Sequence, residues 1–129
     1  MKKIFLTCIL GILLFTSCHK NTSSIDVISS YTISSSLYIT VILHTTTSDY
    51  QFYSKEIIQQ CLENNFPTTK FSFDTNGYPS EVIATVYATQ KDYSQHKILF
   101  EMTYLPKDTP SFEYNIKDNS NIYFYDISH

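Results

Sequence analysis

The stretch YTISSSLYITVILHTTTSDYQFYSKEIIQQCLENNFP, residues 31–67, holds the two patterns that decide the fold. Tyr31, Ile33, Leu37, Ile39, Val41 and Leu43 alternate with Thr32, Ser34, Ser36, Thr40 and His44, with Tyr38 and Ile42 as exceptions on the polar side. A period of two over residues 31–45 predicts one half-buried strand. After the polar break at residues 45–48 the period lengthens. Tyr50, Tyr53, Ile57, Ile58, Cys61, Leu62 and Phe66 then share one stripe, while Gln51, Lys55, Glu56, Gln59, Gln60 and Glu63 take the other side. That is an amphipathic helix. Asp49 or Ser54 is suited to cap its start, and Asn64 and Asn65, followed by Pro67, end it.

Downstream the chain returns to alternation. Residues 69–74 place Phe71 and Phe73 on one side, and Asn76 and Gly77 supply a turn. Residues 80–90 set Val82, Ala84, Val86 and Ala88 against Ile83, Thr85, Tyr87 and Thr89. A polar turn over residues 91–95 leads to Ile98, Phe100, Met102 and Tyr104, alternating with Leu99, Glu101 and Thr103. Phe112, Tyr114 and Ile116, then residues 122–125, predict a closing hairpin. The expectation is an α+β domain over residues 31–129, with one amphipathic helix packed on an antiparallel sheet of about five strands, in the order β-α-β-β-β-β. Ala84 and Ala88 would let the helix approach closely. This order resembles that of cystatin-like folds. The resemblance is one of fold alone, because the glycine-centred loop of cystatin inhibitors has no counterpart: Gly77 is the sole glycine after Gly11.

Composition bounds the function. A chain of 129 residues makes one domain. A net charge of −3 lacks the basic footprint of a nucleic-acid binder. With 43% hydrophobic and 16% charged residues, disorder is excluded. No repeat of solenoid length is visible. The excess of Phe, Tyr, Ile, Asn and Lys over Gly, Ala, Arg and Pro follows AT-rich codons, so abundant Tyr alone does not mark a surface.

No catalytic constellation emerges. His19, His44, His96 and His129 show no metal-ligand spacing, and Cys61 falls on the core stripe of the helix, so no metal is expected. Asp74 to Gly77 fails as a calcium loop, because Ser72 and Ile83 occupy the positions that need acidic ligands. Two glycines cannot build a phosphate loop, and no cofactor is expected. The reading is therefore of a non-enzymatic protein. Ile83, Thr85, Tyr87, Thr89, Leu99 and Thr103 are expected to look away from the helix, joined by Tyr123 and Tyr125. Tyr87, Tyr123 and Tyr125 are the candidate contacts for a protein or glycan partner.

The N-terminus supplies an address. Lys2 and Lys3 precede an apolar run over residues 4–15, the pattern of a secretory signal. Twelve helical residues reach about 18 Å, short of the roughly 30 Å hydrocarbon core. Phe15, Thr16, Ser17 and Cys18 then resemble the lipobox of bacterial lipoproteins, with Phe15 replacing the usual aliphatic residue. The resemblance covers residues 1–18. It implies cleavage after residue 17 and a diacylglyceryl group on Cys18. Two acyl chains anchor stably where one does not. His19 after the cysteine, with no acidic residue before Asp26, resembles the outer-membrane default of Gram-negative lipoproteins. Loss of Lys2 and Lys3 takes the net charge from −3 to −5, which disfavours contact with anionic headgroups. The Ser-rich residues 19–30 read as a flexible tether reaching roughly 20 Å. The whole predicts an exported protein on the cell membrane or outer membrane, lipid-anchored and binding an envelope partner. The alternative is a structural or assembly lipoprotein that scaffolds other envelope components.

Overall fold

The computed structural model describes residues 25–108 and 111–129; the signal stretch and Cys18 lie outside them. Five strands form one sheet in chain order: β1 (Asp26–Ile33), β2 (Ser36–Ile42), β3 (Glu81–Tyr87), β4 (Phe100–Pro106) and β5 (Tyr123–Ser128). All neighbours are antiparallel except β2 and β3, which run parallel. The long helix α1 (Tyr50–Glu63) lies in the connection between those two. A crossover of this kind returns the chain to the end where β2 began, and parallel pairing follows. The α+β class is as expected. The element order is instead β-β-α-β-β-β, so the sheet is mixed and the cystatin-like order does not hold.

The additional strand comes from two corrections upstream. Residues 31–45 are a hairpin, not one strand, turning at Ser34 and Ser35. Ser34 takes a φ of 56°, which a tight hairpin turn requires at its first central residue. Ile33 pairs with Ser36 and Tyr31 with Tyr38, whose rings stack 4.9 Å apart at 4°. A two-residue loop shifts the face of every later side chain. Tyr31 and Ile33 therefore share the open face with Tyr38, while Leu37, Ile39 and Val41 turn into the core. The second correction concerns the tether. Its residues 26–30 are the first half of β1, and Ile25 and Val27 are 1% and 4% exposed, so the domain begins by residue 25.

Two expected strands are absent from the sheet. Residues 69–74 run as a loop into a one-turn helix, α2 (Phe73–Asn76). Residues 111–119 form a 3-10 turn and then a loop in which Asn115 Oδ1 accepts from the N–H groups of Lys117 and Asp118 at 3.1 and 2.8 Å. The polar turn after β3 is a short helix, α3 (Gln90–Ser94), capped by Thr89 Oγ1, which accepts from the Asp92 N–H at 3.1 Å.

The core lies between α1 and one face of the sheet. Aligned rows run Leu37–Val82–Tyr104, Ile39–Ala84–Met102 and Val41–Val86–Phe100 across β2, β3 and β4, and all nine are buried. Ile57, Ile58 and Cys61 of α1 join the same cluster. Asp49 caps the helix, its Oδ1 accepting from the Phe52 N–H at 3.1 Å. Asn64 ends it in the left-handed conformation at φ 52°. Ser54 is fully buried on the core side, and its hydroxyl has no hydrogen-bond partner. A buried unpaired hydroxyl is costly and Ala is the better helix former, so Ser54→Ala should stabilise the domain by about 1 kcal/mol. Urea denaturation tests this: a lower midpoint in the variant would show that the hydroxyl is satisfied after all.

Candidate functional site

The three tyrosines expected to form a contact surface do not share a face. Tyr123 and Tyr125 pair with Pro106 and Tyr104 of β4, and therefore stand on the helix side of the sheet. Their rings lie 4.8 and 4.7 Å from Tyr104. Tyr123 is 8% exposed, and its hydroxyl donates to the Ser80 carbonyl at 2.5 Å. Tyr87 occupies the opposite face but is 7% exposed, covered by the edge-on ring of Tyr93 in α3 at 5.2 Å. Tyr87, Tyr123 and Tyr125 therefore form no common contact surface. The misplacement is one of parity: on β5 it is Phe124, Asp126 and Ser128 that alternate to the open side. Ile83, Thr85 and Thr103 do lie on that open side, half-buried, beside the exposed Glu101.

A cleft of about 410 Å³ opens at the tip of the β1–β2 hairpin. Thr32, Ser34 and Ser35 form one wall, and Phe71 to Phe73 with Asn76 to Pro79 form the other. Asn64 sets the second wall in place. Its Nδ2 donates to the Phe71 carbonyl and its Oδ1 accepts from the Phe71 N–H, both at 2.8 Å. From there a chain of rings runs along the cleft: Phe71 stacks on Phe73 at 5.0 Å, and Phe73 meets Tyr78 at 4.8 Å. Lys117 Nζ sits 5.0 Å from the centre of the Tyr78 ring. Gly77, at φ 77° and ψ 165°, occupies backbone space that is essentially reserved for glycine, and a Cβ there would meet open space.

Ser80 ties the two walls together. Its N–H donates to the Ser35 carbonyl at 2.8 Å and its hydroxyl bonds the Ser35 hydroxyl. The buried Tyr123 hydroxyl closes on the Ser80 carbonyl from behind. In the sequence, Asn76 and Gly77 read as a hairpin turn and Phe71 and Phe73 as strand alternation. The signal passed over was the Ser34, Ser35, Ser36 run, which marks the hairpin tip.

The groups with shifted titration lie away from the cleft lining. Burial pushes the Cys61 thiol up to about 12, as befits a fully enclosed side chain. The Tyr123 and Tyr125 phenols rise to about 12, through burial first and the neighbouring Tyr104 second. His44 Nε2 meets Asp26 Oδ2 at 2.6 Å on the surface where β1 begins. Among the described residues, no group of three or more His, Cys, Asp or Glu is arranged to hold a metal ion. No protein-family model, curated protein or solved structure matches the chain. The meaning of the cleft rests on its own residues.

Proposed function

We propose that the chain is a lipid-anchored protein of a bacterial envelope, held on the cell membrane or outer membrane through Cys18, whose domain binds a partner and does no chemistry on it. The observation that carries binding over catalysis is the lining of the cleft. It presents rings, hydroxyls and one amide, and its only titratable group is the Tyr78 phenol. Acid–base or nucleophilic work needs a tuned pair within hydrogen-bond reach. Anchoring is supported by the Lys2, Lys3, apolar run and Cys18 pattern. Among the described residues no helix is long and apolar enough to cross a membrane.

The anchor is tested by Cys18→Ser in the full chain. The variant should lose incorporation of a labelled fatty acid, and either leave the membrane fraction or accumulate as an unprocessed precursor. Continued membrane fractionation after cleavage at another site would end the lipoprotein reading. One observation favours the scaffolding alternative. The edge strand β1 has no charged side chain after Asp26; the Thr68 and Thr69 hydroxyls cover its Val27 carbonyl, and beyond it Tyr31 (55%) and Ile33 (58%) are exposed. An uncharged, exposed edge is available for strand addition by another envelope component.

A further inference from the structure

We infer that the cleft at the hairpin tip binds a neutral saccharide, a mono- or disaccharide unit of a glycan. The inference rests on the binding-domain reading above and names its ligand class. Its volume of about 410 Å³ falls in the roughly 300–1,000 Å³ range of small-molecule sites.

The lining matches a sugar ring on both of its chemistries. A pyranose has an apolar face of C–H groups and a polar rim of hydroxyls. Phe71, Phe73 and Tyr78 are half-buried and, stacked against one another, line the cleft with apolar ring atoms on which the C–H face can rest. Thr32, Ser34, Ser72 and Asn76 are exposed around them. Hydroxyls and an amide both donate and accept, as sugar hydroxyls do. Of the lining hydroxyls, that of Ser35 is engaged by Ser80 and that of Tyr78 donates to the Leu62 carbonyl at 3.4 Å, which leaves those of Thr32, Ser34 and Ser72 for a ligand.

Charge narrows the class. The lining carries no Lys, His, Asp or Glu, and Lys117 is held over the Tyr78 ring, so an anionic sugar or a charged peptide terminus finds no counter-ion among the lining residues. The chain is net negative, which further disfavours anionic glycans. An extended peptide would pair backbone to backbone along an open strand, whereas this cleft meets its ligand with side chains. The walls are also pre-set. The Asn64 clamp on Phe71 and the Ser80 link to Ser35 hold both sides without a ligand, which limits the ordering cost of binding.

The test is saturation-transfer NMR on the full chain in detergent, with maltose, cellobiose and diacetylchitobiose as probes. Glucuronic acid and trialanine are the comparators. At least one neutral disaccharide should receive saturation where both comparators do not. Phe73→Leu keeps apolar volume but removes the ring, and should weaken that binding about tenfold. Ser72→Trp fills the cleft from an exposed position and should abolish it, with circular dichroism unchanged. Transfer to none of the three disaccharides, preference for trialanine, or transfer undiminished by Ser72→Trp would each overturn the inference. Failure here leaves the Cys18 result and the binding-domain reading standing. A Cys18→Ser chain that keeps its place in the membrane, yet binds sugar, would sink the anchor alone.

Discussion

Phe100→Ala should cost the domain about 3–5 kcal/mol, the range for deleting a buried aromatic side chain. Phe100 opens β4 and is fully buried, and its ring stacks on Tyr50 at 4.8 Å. Tyr50 opens α1, so this contact ties the start of the helix to the sheet. No neighbour is free to fill the space. Val41 and Val86 are fixed in the same row, and Ala84, one row along, has no reach. Domains of this size are stable by only about 5–15 kcal/mol, so the variant should sit close to its unfolding transition at room temperature. Urea denaturation of the variant measures the loss. A loss below about 1 kcal/mol would mean that α1 does not pack against this end of the sheet.

The second large effect is alkaline unfolding. In an unfolded chain, tyrosine titrates near 10 and cysteine near 9. Burial raises the phenols of Tyr104, Tyr123 and Tyr125, the latter two to about 12, and raises the Cys61 thiol to about 12. Groups whose folded values are raised contribute stability that is whole below the unfolded value and is lost as pH climbs through the folded one. Between about pH 9 and 12 the unfolded chain sheds protons that the folded chain retains. Stability should fall steeply over that interval. Phenolate absorbance and far-ultraviolet circular dichroism should change together. Tyr125→Phe removes one such group and should move the midpoint upward. Full titration of the phenols with the dichroism intact would show that Tyr123 and Tyr125 face solvent.

Much of the fold could be read from residue order because burial imposes its period on the chain. The α1 stripe, its Asp49 and Asn64 ends, and the Val82, Ala84 and Val86 face of β3 are all as the pattern predicts. What misled was parity. Tyr31 and Ile33 share the odd-numbered parity of Leu37 and Ile39, so the alternation resumes in phase after Ser35 although the chain has reversed there. Only the Ser triplet and the two exceptions, Tyr38 and Ile42, betrayed it. The same one-residue ambiguity put Tyr123 and Tyr125 on the wrong side. Phe71, Phe73 and Ile116 mimic strands because alternation cannot distinguish a sheet position from an aromatic loop that packs on the core. The cleft was illegible for another reason: its walls lie about forty residues apart, and Ser80 and Ser35 meet only through the β2–β3 pairing.

Under the proposed anchor at Cys18, the direction of β1 would give the molecule a near end and a far end. The chain enters the sheet at Ile25, and the saccharide cleft sits beyond Ile33 at the other extremity of the same strand. Eight strand residues span about 26 Å. On a chain held by lipid at Cys18, only seven peptide steps precede Ile25, a reach of at most about 25 Å. With so short a leash, the sheet itself would become the spar that sets how far from the bilayer a ligand can be met. Lengthening residues 19–24 would extend the radius of capture. Shortening them would crowd the His44 and Asp26 end against the headgroups, and leave the cleft still projecting on its far side.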